Sequence, residues 1–223
     1  MSLTCNAQKD TVRLGEIIIN ANRINLPFSE NSRTLVVLTQ QDIQQSTATN
    51  LAAMLQFIPG IDVRRRGIEG MQSDLYIRGG NFDQSLVLID GVKMDDPQTG
   101  HHSMNAMIPL ANIERIEIIK GPAARIFGQN AFTGAINIIT KKTSASGLEL
   151  TTSYGTHNTF QGTLSVGSEH VLASITRQSS DGYRYNTDFE NWGGFFKSQL
   201  GTLTLTGTYN QRKFGANGFY ASP

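Results

Sequence analysis

Residues 113–128 have the sequence IERIEIIKGPAARIFG. The first half, Ile113–Lys120, is rich in isoleucine, a β-branched residue that favours extended backbone. Gly121 and Pro122 follow at once, and this pair ends a strand because proline cannot donate to a β-ladder. The stretch therefore predicts a buried strand closed by a sharp turn.

Further strands are predicted on both sides of this stretch, at Arg33–Thr39, Ile61–Val63, Leu75–Arg78, Leu86–Ile89 and Ala135–Lys141. A helix is predicted over Thr47–Ile58, because its apolar residues fall on one face and Thr47 or Thr49 can cap it. Two polar segments, Arg64–Asp74 and Lys93–Asn105, are expected to be loops, and loops of that length are often functional. These elements predict an α/β unit with a small mixed sheet, short helices and long loops.

The last 76 residues differ in composition, since they contain 10 of the 37 charged residues but 12 of the 18 aromatic ones. Apolar and hydroxylated residues alternate there, most clearly over Thr202–Tyr209, which is typical of strands with one apolar face. Short turns separate the runs, and Ser179–Asn191 is expected to be a longer surface loop. The tail is therefore predicted to be an antiparallel meander of about five strands, either half of a soluble sandwich or part of a membrane barrel.

Composition excludes several classes of protein. The chain has 223 residues, a net charge of +1 and a single cysteine, which argue against bulk nucleic-acid binding and exclude an internal disulfide. No nucleotide-binding loop, HExxH or CxxC motif occurs, and no nucleophile with a base can be assembled. We therefore expect neither an enzyme nor a metal site.

Five sequence blocks occur in an order that resembles the plug domain of TonB-dependent outer-membrane receptors. They are Leu55–Val63, Ile77–Gly79, Val87–Val92, Ile113–Gly128 and Gly134–Lys141. Each block alone is weak, but together they extend the resemblance over roughly Asn20 to Lys142. The tail is then similar to the first strands of the 22-stranded barrel of these receptors.

The resemblance implies a division of the chain into four parts. Residues 1–15 would be a leader remnant and flexible N-terminus, and residues 16–23 the TonB-box region. Residues 24–143 would be the plug, and residues 144–223 the first five or so strands of a truncated barrel. Five strands cannot close even the smallest barrel, so this chain alone is not expected to transport anything.

The same resemblance assigns roles to particular residues. Glu16, Ile17, Ile18, Ile19 and Asn20 would pair edge to edge with the periplasmic protein TonB, although an ordinary first strand of the plug is the alternative. Substrate would bind to two apical loops through Gly70, Met71, Gln72, Ser73 and Asp74 and through Lys93, Met94, Asp95, His101 and His102, unless these loops only pack on the barrel wall. Arg78, Arg115, Glu117 and Arg125 would form ion pairs between plug and barrel.

The implied function is energised import across the outer membrane of a Gram-negative bacterium, with the plug facing the periplasm and the barrel lumen. TonB, with ExbB and ExbD, would supply the energy, and the other partners would be a small-molecule substrate and membrane lipid. Within the family the leader and the Gly70–Asp74 block are most similar to cobalamin-type receptors; ferric-siderophore and haem receptors share most blocks. Cobalamin or a ferric chelate would be cargo, so no cofactor is expected. A soluble plug-like binding module and an enzyme with an α/β core are the alternatives of other classes.

Overall fold

The computed structural model describes residues 18–19, 26–27, 35–67, 72–94, 108–121, 127–143 and 147–217. The strands are β1 (Ile18–Ile19), β2 (Leu26–Pro27), β3 (Leu35–Thr39), β4 (Ile61–Arg66), β5 (Gln72–Ile77), β6 (Ser85–Ile89), β7 (Val92–Met94), β8 (Ile113–Lys120), β9 (Gly134–Thr140), β10 (Gly147–Tyr154), β11 (Phe160–Gly167), β12 (Val171–Ser180), β13 (Phe189–Leu200) and β14 (Leu203–Phe214). Two short helices, α1 (Gln40–Gln45) and α2 (Leu51–Gln56), lie between β3 and β4. Within the described residues, neither helix is long and apolar enough to cross a membrane.

The mixed sheet has the strand order β3-β8-β9-β6-β7. Strand β8, predicted from the isoleucine-rich stretch, has the predicted bounds and pairs antiparallel with β3 and β9. Strands β6 and β9 run parallel, which makes the sheet mixed as expected. Both faces of the sheet are buried: Ile116 and Ile136 point into the larger core, whereas Leu88 and Ile119 belong to a smaller cluster.

The helix predicted over Thr47–Ile58 is present as the shorter α2, and a second helix, α1, precedes it. Asn50, rather than Thr47 or Thr49, caps α2, because its backbone is extended and its Oδ1 accepts a hydrogen bond from the Ala53 N–H at 2.8 Å. The preceding helix, α1, was not predicted. Its sequence QQDIQQ buries only Ile43 and shows no apolar face, and it begins at a capping box between Thr39 and Asp42.

The predicted loops over Arg64–Asp74 and Lys93–Asn105 are wrong in their described parts. Strands β4 and β5 form a hairpin that pairs Arg64 with Asp74 and Arg66 with Gln72. The hairpin shows no alternation of apolar and polar residues, because even the buried positions of β5 include polar Gln72 and Asp74. These two side chains hydrogen-bond to each other. At the other segment, β7 pairs with β6 as an edge strand that includes Lys93.

Strands β10–β14 form the predicted meander of five antiparallel strands, which we call the meander. The loop after β12 is shorter than predicted, because β13 already begins at Phe189 and pairs it with Ser180. One face of the meander carries hydroxyl groups and lies against the mixed sheet; we call it the inward face. The opposite, outward face exposes large apolar side chains such as Leu148, Leu150 and Ile175.

Candidate functional site

The mixed sheet and the meander meet at a carboxylate. Asp90 lies in the turn after β6 with a φ of 49°, and Gly91 beside it has a φ of 81°. The Asp90 Oδ1 atom accepts a hydrogen bond from the Thr140 N–H at 2.8 Å, and Oδ2 accepts one from the Thr140 hydroxyl at 2.6 Å. The turn therefore holds the end of β9 next to the end of β6.

Lys197 on β13 completes this cluster from the meander. Its Nζ atom donates to Asp90 Oδ2 at 2.9 Å and to Thr140 Oγ1 at 2.8 Å. The two charged side chains are 11% and 22% exposed, so water screens the pair only in part. The pair was not predicted from the sequence, although a lone lysine in the glycine- and aromatic-rich β13 was a signal for an inward charge.

Three further contacts bind the same edge of the mixed sheet to the meander. Asn112 donates from Nδ2 to Ser174 Oγ at 2.8 Å, and both side chains are buried. The Thr143 hydroxyl donates to the Glu169 carbonyl at 2.8 Å. Leu172 and Phe195 enter the core of the mixed sheet. The junction thus combines an apolar contact with polar groups that satisfy one another.

The four residues predicted to form ion pairs with a barrel have different surroundings. Arg115 donates from Nε to Glu117 Oε1 at 2.9 Å and also pairs with Glu114. Arg78 has a φ of 52° and lies near Lys120, where burial first and the Arg78 charge second lower the pKa of the Lys120 ammonium. Arg125 lies outside the described residues. Their assignment to the barrel wall stays a prediction.

The predicted substrate-binding residues fall on two hairpins where they are described. Gln72, Ser73 and Asp74 belong to β5 rather than to a loop, and Gln72 and Asp74 are buried. Lys93 and Met94 belong to the edge strand β7. The remaining ones, Gly70, Met71, Asp95, His101 and His102, lie outside the described residues.

The three successive arginines 64–66 form the second half of β4, so their side chains alternate between its two faces. The Arg64 guanidinium lies 4.3 Å from the centre of the Tyr76 ring, and its Nε atom is 2.8 Å from Asp62 Oδ2. Arg65 donates from Nη2 to Asn50 Oδ1 at 3.3 Å. The β4–β5 hairpin is therefore connected to the cap of α2.

Part of the predicted TonB-binding segment has backbone partners within the chain. Ile18 pairs with Pro27 and Ile19 with Leu26 in a two-stranded antiparallel ladder. Glu16, Ile17 and Asn20 lie outside the described residues. A strand of two residues has few hydrogen bonds to lose, so it can exchange partners at low cost.

The mixed sheet and the two helices are together called the mixed unit here. A cavity of about 300 Å³ lies between this unit and the meander. The mixed unit contributes residues around Asn50 and Pro109, and the meander contributes inward side chains of β10, β11 and β12. Among the described residues, no group of three or more His, Cys, Asp or Glu side chains is placed to hold a metal ion.

Comparisons with known proteins agree on one family. The family model of the TonB-dependent Receptor Plug Domain matches residues 28–135. Vitamin B12 transporter BtuB of Vibrio vulnificus strain CMCP6 is 37% identical over 130 residues, which are 58% of this chain and 21% of that protein. The chain therefore spans about a fifth of the length of this curated relative.

Two solved structures are similar to both parts of the chain. The pyoverdine outer membrane receptor FpvA of Pseudomonas aeruginosa PAO1, bound to pyoverdine, has a TM-score of 0.65 at 18% identity, with 87% of this chain and 30% of that chain covered. The closed form of the ferric-catecholate import receptor Fiu of E. coli K12 has a TM-score of 0.61 at 29% identity, with 83% and 27% covered. At 18% identity the first supports the fold alone.

Proposed function

Residues 28–135 of this chain are a plug domain of the TonB-dependent receptor family, and from this premise we propose that the chain is part of an outer-membrane receptor that imports cobalamin. The plug would close the lumen of the barrel at rest. Solute would bind at the outer side of the plug, and TonB, energised through ExbB and ExbD, would pull on the N-terminal box. The plug would then rearrange and let the solute pass into the periplasm of a Gram-negative bacterium.

The orientation of the meander is the observation that carries this proposal. Its inward face places Thr163, Ser174 and Thr176 toward the plug, whereas Leu148 and Leu150 are exposed on the other side. A soluble sandwich would bury the apolar face and expose the hydroxyls. The reverse arrangement suits a wall with lipid outside and a polar, plugged lumen inside.

This orientation also weighs against a soluble plug-like binding module. Apolar side chains from all five strands share the outward face, including Val166, Ile175 and Phe196. A contiguous apolar surface of this kind is unfavourable in water and marks contact with lipid or another protein. Membrane lipid is therefore the partner that we assign to the outward face.

The N-terminal box is the proposed contact with TonB. Strand addition relies on backbone hydrogen bonds, so the short ladder between Ile18–Ile19 and Leu26–Pro27 would open before the box could pair with TonB. Occupancy of the substrate hairpins would favour this opening. We assign to the substrate the segments Gly70–Asp74, whose described residues Gln72–Asp74 belong to β5, and Lys93–Asn105, whose described residues Lys93 and Met94 belong to β7.

Cobalamin is proposed on the 37% identity to a vitamin B12 transporter. A ferric siderophore is the second candidate, supported by the 29% identity to a ferric-catecholate receptor, and haem is a third. The test is uptake of labelled cobalamin, a ferric catecholate and haem by cells that lack their own receptors and express the complete receptor containing this chain. We expect cobalamin uptake that disappears without TonB. Uptake of an iron complex but not of cobalamin would overturn the assignment of cobalamin as the substrate. Binding without any uptake would favour a binding module that does not transport.

A further inference from the structure

The outward face of the meander changes in character along its strands. Cross-strand pairing aligns its residues in rows, because paired residues of neighbouring strands point to the same face. Two neighbouring rows contain only apolar residues, glycines and one tyrosine: Leu148, Val166, Ala173, Phe196 and Gly207, followed by Leu150, Leu164, Ile175, Gly194 and Tyr209. The next two rows are largely polar and aromatic: Thr152, Gly162, Arg177, Trp192 and Gln211, followed by Tyr154, Phe160, Ser179, Glu190 and Lys213. Within the described strands of the meander, every charged side chain of the outward face lies in these last two rows.

The polar rows lie at the outer end of the meander. The loops at this end, residues 155–159 and 181–188, are longer than the turns 168–170 and 201–202 at the other end, and membrane barrels have short periplasmic turns and longer external loops. Strand β13 has 12 residues, which at a tilt of about 40° span about 28 Å along the membrane normal. The apolar band of such barrels is about 25 Å tall. The row of Glu190 therefore lies where the hydrocarbon ends and the lipid headgroups begin.

Two neighbours hold Arg177 against the wall at this level. Its Nη2 atom donates to Glu190 Oε1 at 3.0 Å, and its guanidinium lies 5.3 Å from the centre of the Trp192 ring. Trp192 also donates, from Nε1 to the same Glu190 oxygen at 3.3 Å. The Arg177 side chain is nevertheless 45% exposed. The guanidinium is thus fixed in position and still accessible from the membrane side.

The cluster has more positive than negative charge. Lys213 lies opposite Glu190 in the same row, so it adds a second positive charge beside the carboxylate. The bond to Glu190 leaves further N–H donors of the Arg177 guanidinium for a second acceptor, and the planar fork of an arginine suits phosphate. An exposed ion pair in water stabilises a protein little, so stability alone gives no reason for this cluster at the membrane boundary.

We infer that Arg177 binds the phosphate group of an anionic lipid in the outer leaflet of the membrane. The inference rests on the proposed function, because it uses the assignment of the outward face to lipid. Trp192 would lie among the headgroups, where amphipathic aromatic rings are favourable. The acyl chains of the same lipid would cover Ile175 and Leu164 in the adjacent apolar row. A free phosphate ion lacks this second contact, so the site is assigned to a lipid.

The test measures lipid binding to the complete receptor containing this chain, purified in a neutral detergent. Native mass spectrometry gives the affinities for phosphatidic acid, whose headgroup is a bare phosphate, and for phosphatidylcholine, whose phosphate carries a choline cation. Arg177→Gln removes the guanidinium, and Glu190→Gln removes the carboxylate that competes with the phosphate. Arg184→Gln is the matched control, because Arg184 also lies over an aromatic ring, 5.4 Å from the centre of Tyr183, but belongs to the loop beyond the rows.

Arg177→Gln is expected to weaken the binding of phosphatidic acid about tenfold, because a charge-assisted hydrogen bond is lost, and to leave phosphatidylcholine unaffected. Glu190→Gln is expected to strengthen the binding of phosphatidic acid about threefold, because a repulsive charge is removed. An ion pair that only joins β12 to β13 predicts equal weakening by the two variants, or no change in either, and both results would overturn the inference. A tenfold loss in the Arg184→Gln control would also overturn it. Displacement of the lipid by inorganic phosphate at equal concentration would overturn the lipid as the ligand.

The lipid measurement is independent of the solute. Lipid binding that depends on Arg177, in a receptor that imports no cobalamin, would retain this site and overturn the proposed substrate. Import of cobalamin by a receptor whose lipid binding is insensitive to Arg177→Gln would overturn the lipid site alone.

Discussion

Lys197 Nζ lies 2.9 Å from Asp90 Oδ2, although the two residues are 107 positions apart in the chain. Asp90 at the same time holds Thr140 through both carboxylate oxygens. One carboxylate in the turn after β6 thus fixes the end of β9 and receives a lysine from the meander. The pair is one of several contacts that hold this edge of the mixed sheet against the meander.

Replacing Lys197 by Met is expected to loosen the plug. The substitution leaves the partly buried Asp90 carboxylate without its cation, at a cost of about 1–3 kcal/mol. Calorimetric unfolding of the receptor in detergent measures the loss. Lys213→Met is the matched control, since Lys213 lies on the outward face opposite Glu190. Equal stability of the two variants would contradict the role of the pair.

Replacing Ser174 by Ala should weaken the junction at a second point. The Asn112 Nδ2 group is buried and donates to Ser174 at 2.8 Å, so loss of the acceptor costs about 1–3 kcal/mol. Chemical unfolding followed by the tryptophan signal reports the change. Ser179→Ala on the outward face of the same strand is expected to have little effect, and an equal effect there would show that β12 itself, rather than the junction, is weakened.

Gly134→Ala is expected to disturb the pairing of β8 with β9. A Cβ atom at this position would lie 2.5 Å from the backbone oxygen of Ile119, which cannot move without breaking the ladder. Overpacking of this kind costs about 1–3 kcal/mol. Hydrogen exchange of the plug strands measures the loss, with Gly147→Ala as control because its Cβ meets open space. Equal protection in the two variants would argue against close packing at Gly134.

The capping box of α1 predicts a pH-dependent contribution to stability. Hydrogen bonds from the Thr39 side chain first, and from its backbone N–H second, lower the pKa of the Asp42 carboxyl. A carboxyl whose pKa is lower in the folded state stabilises the protein above its unfolded pKa and loses this effect as pH falls through the folded pKa. Asp42→Asn should cost about 0.5 kcal/mol near pH 7, a small value because the group is exposed.

The same variant should cost less as pH falls from 7 through the folded-state pKa of Asp42, and nothing at a pH below that pKa, where the wild-type carboxyl is protonated. Urea unfolding of the receptor at both pH values provides the comparison. Asp83→Asn controls for the loss of a surface charge. A loss that is equal at both pH values would contradict a contribution from the ionised carboxyl.

A proline in the proposed TonB-binding segment is expected to separate binding from uptake. Ile18→Pro removes a backbone N–H and restricts the backbone, so strand pairing of this segment with TonB is expected to fail. Energised uptake of cobalamin should be lost while binding at the outer face is retained. Ile18→Val, which preserves strand propensity, is the control. Retained uptake in the proline variant would place the TonB contact elsewhere.

The strands of the plug could be predicted where local pattern and burial agree. Ile113–Lys120 was found with its bounds because isoleucine dominates it and a Gly-Pro pair ends it. The hairpin over Arg64 and Gln72 was missed because its buried positions are polar and its exposed positions are charged. Helix α1 was missed because a capping box and one buried isoleucine leave no periodic signal.

The family could be recognised from five local sequence blocks. The alternation of the meander could also be predicted, because blocks and alternation are both properties of residues close in the chain. The alternation alone did not tell which face is covered, because a strand with one apolar face suits a sandwich and a membrane wall equally well. Only the tertiary structure, in which the hydroxyl face packs against the plug, decided which face is covered. The contacts of Asp90 with Lys197 and of Asn112 with Ser174 likewise join residues far apart in the chain, and such pairs exist only once the two sheets are docked.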